Sequence, residues 1–209
     1  MKTTVIGASA GVGLELVNQL LDHGHFVTTL SRRIDSIPDH PNINKVRGSS
    51  LIADDVAKAI DGAEVILVTL GTGMSTKATG LYPKSATAIL NALECAATKP
   101  PLIVLTGFGA GDSWNYNSRL VKLLFNLFLK EIYAEKTEME RMLSAGYPNC
   151  MFVRPGRLTN GPLTSHYRVI AELGKNLKVG AISRKDVAHF MAGQAEHPDF
   201  IGKYPALSY

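Results

Sequence analysis

The stretch Thr3-Thr4-Val5-Ile6-Gly7-Ala8-Ser9-Ala10-Gly11-Val12-Gly13-Leu14 decides how the rest of the chain is read. A β-rich run, Thr3–Ile6, passes through a glycine turn into a helix. Its apolar residues recur at helical spacing, with Val12, Leu16 and Leu20 on one line and Leu14, Val17 and Leu21 on the next. A glycine at the strand end permits the tight turn, a second lets backbone approach a ligand closely, and a third lets helix and strand pack together. The free N–H groups and positive end of the helix then face the turn, which suits a pyrophosphate. Ala8, Ser9 and Ala10 are small enough to keep that approach open. The motif therefore assigns dinucleotide contacts to Gly7, Ser9, Ala10, Gly11, Val12 and Gly13. A plain β-to-α turn is the alternative, and the motif's place on the first strand favours the nucleotide.

The end of the second strand selects which nucleotide. A ribose 2′-hydroxyl is usually met there by Asp or Glu, whereas a 2′-phosphate needs cations. Phe26–Ser31 runs into Arg32-Arg33, and a guanidinium fork holds a phosphate with two charge-assisted hydrogen bonds. NADP(H) is thus preferred over NAD(H), with Asp35 as the residue that argues the other way. In open α/β sheets ligands bind beyond the carboxyl ends of the strands. The fourth strand ends Leu70-Gly71-Thr72, placed against the adenine-ribose half, and the fifth ends at Thr106, placed near the nicotinamide.

Outward from the motif, β-rich runs alternate with helix-period segments. Strands are expected at Thr3–Ile6, Phe26–Ser31, Ile43–Val46, Val65–Leu70, Leu102–Thr106 and Cys150–Arg154, with a last one at Gly202–Leu207. Helices are expected at Val12–His23, Asp54–Ile60, Pro83–Ala97, Arg119–Ala145 and Arg184–Gln194, the last opened by Ser183. Most intervals accommodate a right-handed crossover, so the fold class is α/β: a Rossmann-type doubly wound, mostly parallel sheet with helices on both faces. Residues 1–209 read as one NAD(P)-binding domain, with about 155–209 completing a substrate pocket.

Composition narrows the function classes. The 209 residues carry 22 Lys+Arg against 18 Asp+Glu, a net charge of +4 that is too small to require a nucleic-acid partner. The two cysteines, Cys95 and Cys150, are far apart, and the six histidines show no metal-like spacing, so neither a disulfide framework nor a metal site is expected. His166 and His189 read as structural. The apolar stretch Leu120–Leu129 is too short to span a bilayer and reads as a buried helix. Because the chain enters a strand at once, no signal peptide is expected, and with unpaired cysteines a cytoplasmic setting is the expectation.

Four segments carry a family resemblance: the glycine turn, Leu70-Gly71-Thr72, Lys136…Glu140-Arg141-Met142-Leu143-Ser144-Ala145-Gly146, and Val153-Arg154-Pro155-Gly156-Arg157-Leu158. Together they resemble the atypical short-chain dehydrogenase/reductases of the NAD(P)H-binding, NmrA-like type. The closing block Ala181–Met191, with Tyr204-Pro205, is similar to the biliverdin-IXβ/flavin reductases. The resemblance implies NADPH with its nicotinamide in a shallow pocket, Pro155 among the cofactor contacts, and reduction of a planar acceptor. Two positions depart from that reductase, Gly107 where it has Ser and Arg157 where it has His. The standard short-chain enzymes use Tyr and Lys four residues apart; here the alignment puts Lys136 in the Lys column and Ile132 in the Tyr column, leaving Tyr133 three residues from the lysine.

The resulting expectation is an NADPH-dependent oxidoreductase transferring hydride to a small aromatic or carbonyl acceptor, with Thr106, Arg157 and Lys136 at the reaction centre. The alternative is a non-catalytic NADP(H)-binding redox sensor. A sugar-nucleotide epimerase calls for Tyr-x-x-x-Lys and a longer substrate domain. The expected partner is a small-molecule acceptor, without nucleic acid or membrane, for a monomer or homodimer.

Overall fold

Val65–Val68 (β4) sends Val65 and Leu67 to one face of the sheet and Ile66 and Val68 to the other, as the period of a strand requires. All four are buried, because helices cover both faces. The computed structural model describes residues 1–73, 75, 77–117, 122–123, 127, 129–174 and 177–209, and the structural statements that follow concern these.

The chain runs β1 (Lys2–Ile6), α1 (Gly11–Asp22), β2 (Phe26–Ser31), β3 (Ile43–Arg47), α2 (Ala53–Ile60), β4, α3 (Leu81–Glu94) and β5 (Leu102–Leu105). A 3-10 turn, Gly111–Tyr116, precedes α4 (Lys130–Gly146) and β6 (Cys150–Pro155). The last part holds β7 (Arg157–Thr159), β8 (Arg168–Ile170), β9 (Ala181–Ser183), α5 (Arg184–Glu196) and β10 (Ala206–Ser208). Eight strands form one sheet in the order β3-β2-β1-β4-β5-β6-β10-β8, parallel except where β8 meets β10, and β7 pairs with β9 apart from it. This is the Rossmann order, with its reversal point between β1 and β4. Register sets Ile6 beside both Leu30 and Val68, so the carboxyl ends of β1, β2 and β4 finish level.

Two core clusters flank the sheet. Val5, Val27, Leu67, Ile103 and Val153 pack against Leu16, Val17 and Leu20 of α1 and Val187 and Met191 of α5. Ile6, Leu30, Val68, Val104 and Phe152 pack on the other face against Ile89 and Leu93 of α3 and Met139 and Leu143 of α4. α1 and α5 pack together and run the same way: Arg184, which opens α5, comes beside Gly11 at the start of α1, and Glu196, which ends α5, meets His23 just past the end of α1.

Several expected boundaries move. The fourth strand stops at Val68 because Thr69 turns its hydroxyl onto the carbonyls of Ile6 and Gly7, each at 3.2 Å. The last strand begins at Ala206, since Gly202 takes a φ of +75° and Lys203 N–H donates to the Phe200 carbonyl in a turn. The three short strands β7, β8 and β9 follow no periodic pattern long enough to mark them. Of the helix expected at 119–145, α4 accounts for the part from Lys130; residues 118–121, 124–126 and 128 lie outside the description. Leu123 and Leu127 are 57% and 65% exposed, which corrects the reading of these two positions as buried, whereas Leu129 is half-buried against one core cluster.

Candidate dinucleotide site

Gly7 leaves β1 with a φ of +95°, and a Cβ there would stand 2.8 Å from the Thr69 carbonyl oxygen. Gly11 opens α1 with a φ of +59°. Gly13 lies so close to the strand that a Cβ would run into the Gly7 carbonyl and come 2.6 Å from Thr69 Oγ1. The three glycines therefore do different work: Gly7 and Gly11 allow the turn, and Gly13 allows helix and strand to touch. Ala10 occupies the cap position in extended conformation without a side-chain bond to the helix, and no acidic residue stands in the first turn. The first-turn N–H groups of α1 are thus left for a ligand. At α5, by contrast, Ser183 Oγ accepts from Asp186 N–H at 2.9 Å and closes the helix end. Ser36 donates to the Ser9 carbonyl at 2.6 Å and ties the loop after β2 to the glycine turn.

Arg32 and Arg33 stand exposed one step beyond β2, beside that turn. Asp35 has Arg47 at 3.7 Å. The carboxylate that argued for a ribose hydroxyl therefore has a cation of its own. Past β4, Leu70 is half-buried and Gly71 has open space around it, while Thr72 donates to the Ser75 carbonyl at 2.7 Å.

At the ends of β5 and β6 the structure redistributes the expected roles. Thr106 is 4% exposed, and its hydroxyl donates to Glu140 Oε1 at 2.7 Å, so it does not present a hydroxyl to the open edge. The physical reason is the buried network beneath it. Arg154 Nε and Nη2 donate to the two oxygens of Glu140 at 3.0 and 2.7 Å, and Nη1 donates to Asp112 at 2.5 Å. A buried carboxylate must be satisfied, and Thr106 supplies one of its donors. The arginine of the Arg-Pro-Gly segment is accordingly structural; Pro155 accepts Phe108 N–H at 2.8 Å through its carbonyl.

What reaches the edge is Lys136. Its Nζ donates to the Thr106 carbonyl at 2.7 Å and lies over the rings of Tyr133 and Tyr82, at 4.8 and 5.5 Å from their centroids. Burial pushes this ammonium down to about 8, Glu140 opposing in part. The spacing of three therefore does bring Tyr133 and Lys136 together on one helix side. Burial holds the Tyr133 hydroxyl up at about 12. That hydroxyl also explains Gly107, where a Cβ would stand 2.9 Å from it. Arg157 is exposed on β7, whose partner β9 leads into α5.

Arg184 was not singled out by sequence. It opens α5, is held by Asn160 at 2.7 Å, and brings Nε within 3.7 Å of the space beside Gly11. Nothing local in the sequence marks it, since it comes to the glycine turn from the far end of the chain. His189 accepts or donates to the Tyr167 hydroxyl at 2.8 Å, in keeping with a structural role. No helix among the described residues is long and apolar enough to cross a membrane.

The chain belongs to the NAD(P)H-binding family, whose pattern matches residues 7–198. An uncharacterized sugar epimerase of Bacillus subtilis (strain 168) is 27% identical over 201 residues, covering 90% of this chain and 85% of that protein. Among solved structures, an anaerobillin reductase from Escherichia coli superposes with a TM-score of 0.81 at 24% identity, covering 100% of this chain and 97% of that one. A short-chain dehydrogenase/reductase from Veillonella parvula in complex with NADP gives 0.83 at 21%, covering 100% and 94%. These likenesses establish the Rossmann-type fold.

Proposed function

We propose that the chain is an NADPH-dependent reductase of a small planar acceptor, a flavin, quinone or tetrapyrrole. The observation that carries the reading is the uncapped first turn of α1 next to an exposed Arg32-Arg33 pair, with Asp35 3.7 Å from Arg47. The cradle fits a dinucleotide: backbone N–H groups meet the pyrophosphate, Arg184 adds charge beside Gly11, and the arginine pair meets a 2′-phosphate. The bound cofactor supplies a hydride.

This chain's own residues then position and polarise. Lys136, fixed by the Thr106 carbonyl, holds a positive charge at the edge where β5 ends, and Thr106 acts through that carbonyl as a positioning residue. Gly107 keeps the edge flat. Arg157 balances negative charge that grows on a reduced acceptor, and water supplies the later proton, since aligned rings are the main requirement of the step. The segment 155–209 frames the acceptor. Epimerase chemistry fits less well, because it needs a tyrosinate base and burial keeps the Tyr133 hydroxyl protonated.

The test is loss of reduced-nicotinamide absorbance with FMN, FAD, quinones, biliverdin and aldehydes. Turnover of at least one planar acceptor with NADPH is expected, retained by Tyr133→Phe and reduced by Lys136→Met. Tight NADPH binding without turnover would instead identify a redox sensor. Interconversion of a UDP-hexose would overturn both.

A further inference from the structure

Far from the dinucleotide site, the other end of the α1/α5 pair gathers three ligand-type side chains. The chain leaves α1 through His23, Gly24 and His25. Gly24, at φ +77°, donates to the Leu21 carbonyl at 2.9 Å, and His25 N–H donates to the Leu20 carbonyl at 2.9 Å. These two bonds form a Schellman motif, whose backbone sets where both imidazoles go. Glu196 is the last residue of α5. His23 Nδ1 and His25 Nε2 each lie against the same oxygen, Glu196 Oε1, at 2.9 and 3.0 Å.

The three candidate ligand atoms all lie within 4.8 Å of one another. Four-coordinate zinc, with bonds of about 2.0–2.2 Å to nitrogen and oxygen, keeps its ligands roughly 3.3–3.5 Å apart. The two histidine-to-glutamate separations, 2.9 and 3.0 Å, need to open by a few tenths of an ångström, and the two imidazole nitrogens, within 4.8 Å of each other, to settle at the same spacing. His25 is 95% buried, its relative exposure being 5%, so its Nε2 is held in place by packing and not by the carboxylate alone. The side chains of His23 and Glu196 are 42% and 35% exposed, which leaves an entry path and room for water. Electrostatics favours a cation here as well, since the negative dipole ends of α1 and α5 and the Glu196 carboxylate meet at this point. Two imidazoles and one carboxylate suit zinc, nickel or copper over magnesium or calcium, which prefer oxygen.

We propose that His23, His25 and Glu196 bind one divalent transition-metal ion of the zinc type, with water completing its shell, and that the ion clamps the C-terminal ends of α1 and α5 across the start of β2. The histidines, read in sequence as lacking a metal-like spacing, acquire one only when Glu196 arrives from 171 positions away. The site lies about 18 Å, the length of α1, from the glycine turn, so it is a structural clamp separate from the redox edge.

The experiment uses the full chain stripped with EDTA and dialysed. Zinc is titrated by calorimetry, cobalt(II) by its visible absorption, and magnesium serves as the comparison. One ion per chain is expected, with a rise in Tm of about 6 °C at a free zinc concentration near 100 times Kd and no shift with magnesium. His23→Ala and Glu196→Gln, both at partly exposed side chains, should each weaken zinc by more than ~10-fold while NADPH binding and circular dichroism stay unchanged. Lack of saturable one-to-one uptake would overturn the proposal. So would uptake that survives both substitutions, because the ion would then sit elsewhere, for instance at the exposed thiol of Cys95.

Discussion

The two ends of α1 meet opposite problems with opposite materials. At its N-terminus the helix is built to leave donors unused: Ala10 does not cap it, glycines bring the strand alongside, and Arg184 and the Arg32-Arg33 pair add positive charge. At its C-terminus the backbone is closed by its own Schellman bonds, and two imidazoles and a carboxylate gather beside it. An anion site can be made of backbone because N–H groups point outward at a helix start. A cation site at a helix end needs added ligands, since the terminal carbonyls are already used in the turn. The first kind writes a local pattern into the sequence. The second does not.

The largest effect is expected at the backbone-built end. Gly13→Ala drives a methyl into the Gly7 carbonyl and Thr69 Oγ1, so urea denaturation should show a loss of about 3 kcal/mol or more, and nucleotide binding should fall with it. If Gly13→Ala is tolerated, the close approach is not what the glycine serves. Next comes the double substitution Arg32→Glu/Arg33→Glu. Losing charged hydrogen bonds worth about 3 kcal/mol should raise KM for NADPH by roughly 100-fold while KM for NADH stays level. An equal rise for both nucleotides would remove the 2′-phosphate from the arginine pair.

Stability against pH separates the two ends further. Lys136 releases its proton near pH 8 when folded and near 10.5 when unfolded, so the desolvated ammonium costs stability in full below about pH 8. Stability should therefore climb between pH 8 and 10.5, and Lys136→Met should remove that climb. Hydrogen bonds from His23 and then His25 hold the Glu196 carboxyl below its ordinary value of 4.5. Its contribution is present above that value and is lost as pH falls through the lower folded one. Glu196→Gln should flatten that acid limb in a series of denaturation curves. The smallest effect is expected at Gly24, where a Cβ meets nothing within 4 Å and only the positive φ resists a side chain. Gly24→Ala should cost about 1–2 kcal/mol in the same assay, well under Gly13→Ala.

Much of the fold could be read directly, because the fully apolar run Val65–Val68 and the periodic apolar residues of α1 state their environment at every position. The glycine turn was readable for the same reason, since it is a demand of local backbone geometry. The acceptor half was read less well. Thr106 sat at the expected strand end, yet its hydroxyl points to Glu140, 34 positions on. Tyr133 was set aside on spacing, yet it stands under Lys136 and accounts for Gly107.

The sequence by itself determined the first strand, the glycine turn, the arginine pair and the alternation that forces a two-faced parallel sheet, since each depends on neighbours along the chain. Only the tertiary structure decided that β10 enters between β6 and β8, that Arg184 comes to Gly11, and that His23, His25 and Glu196 share one point. Those three outcomes rest on contacts between distant segments, where the partner of each residue is chosen by packing of the sheet and helices and leaves no local spacing to read.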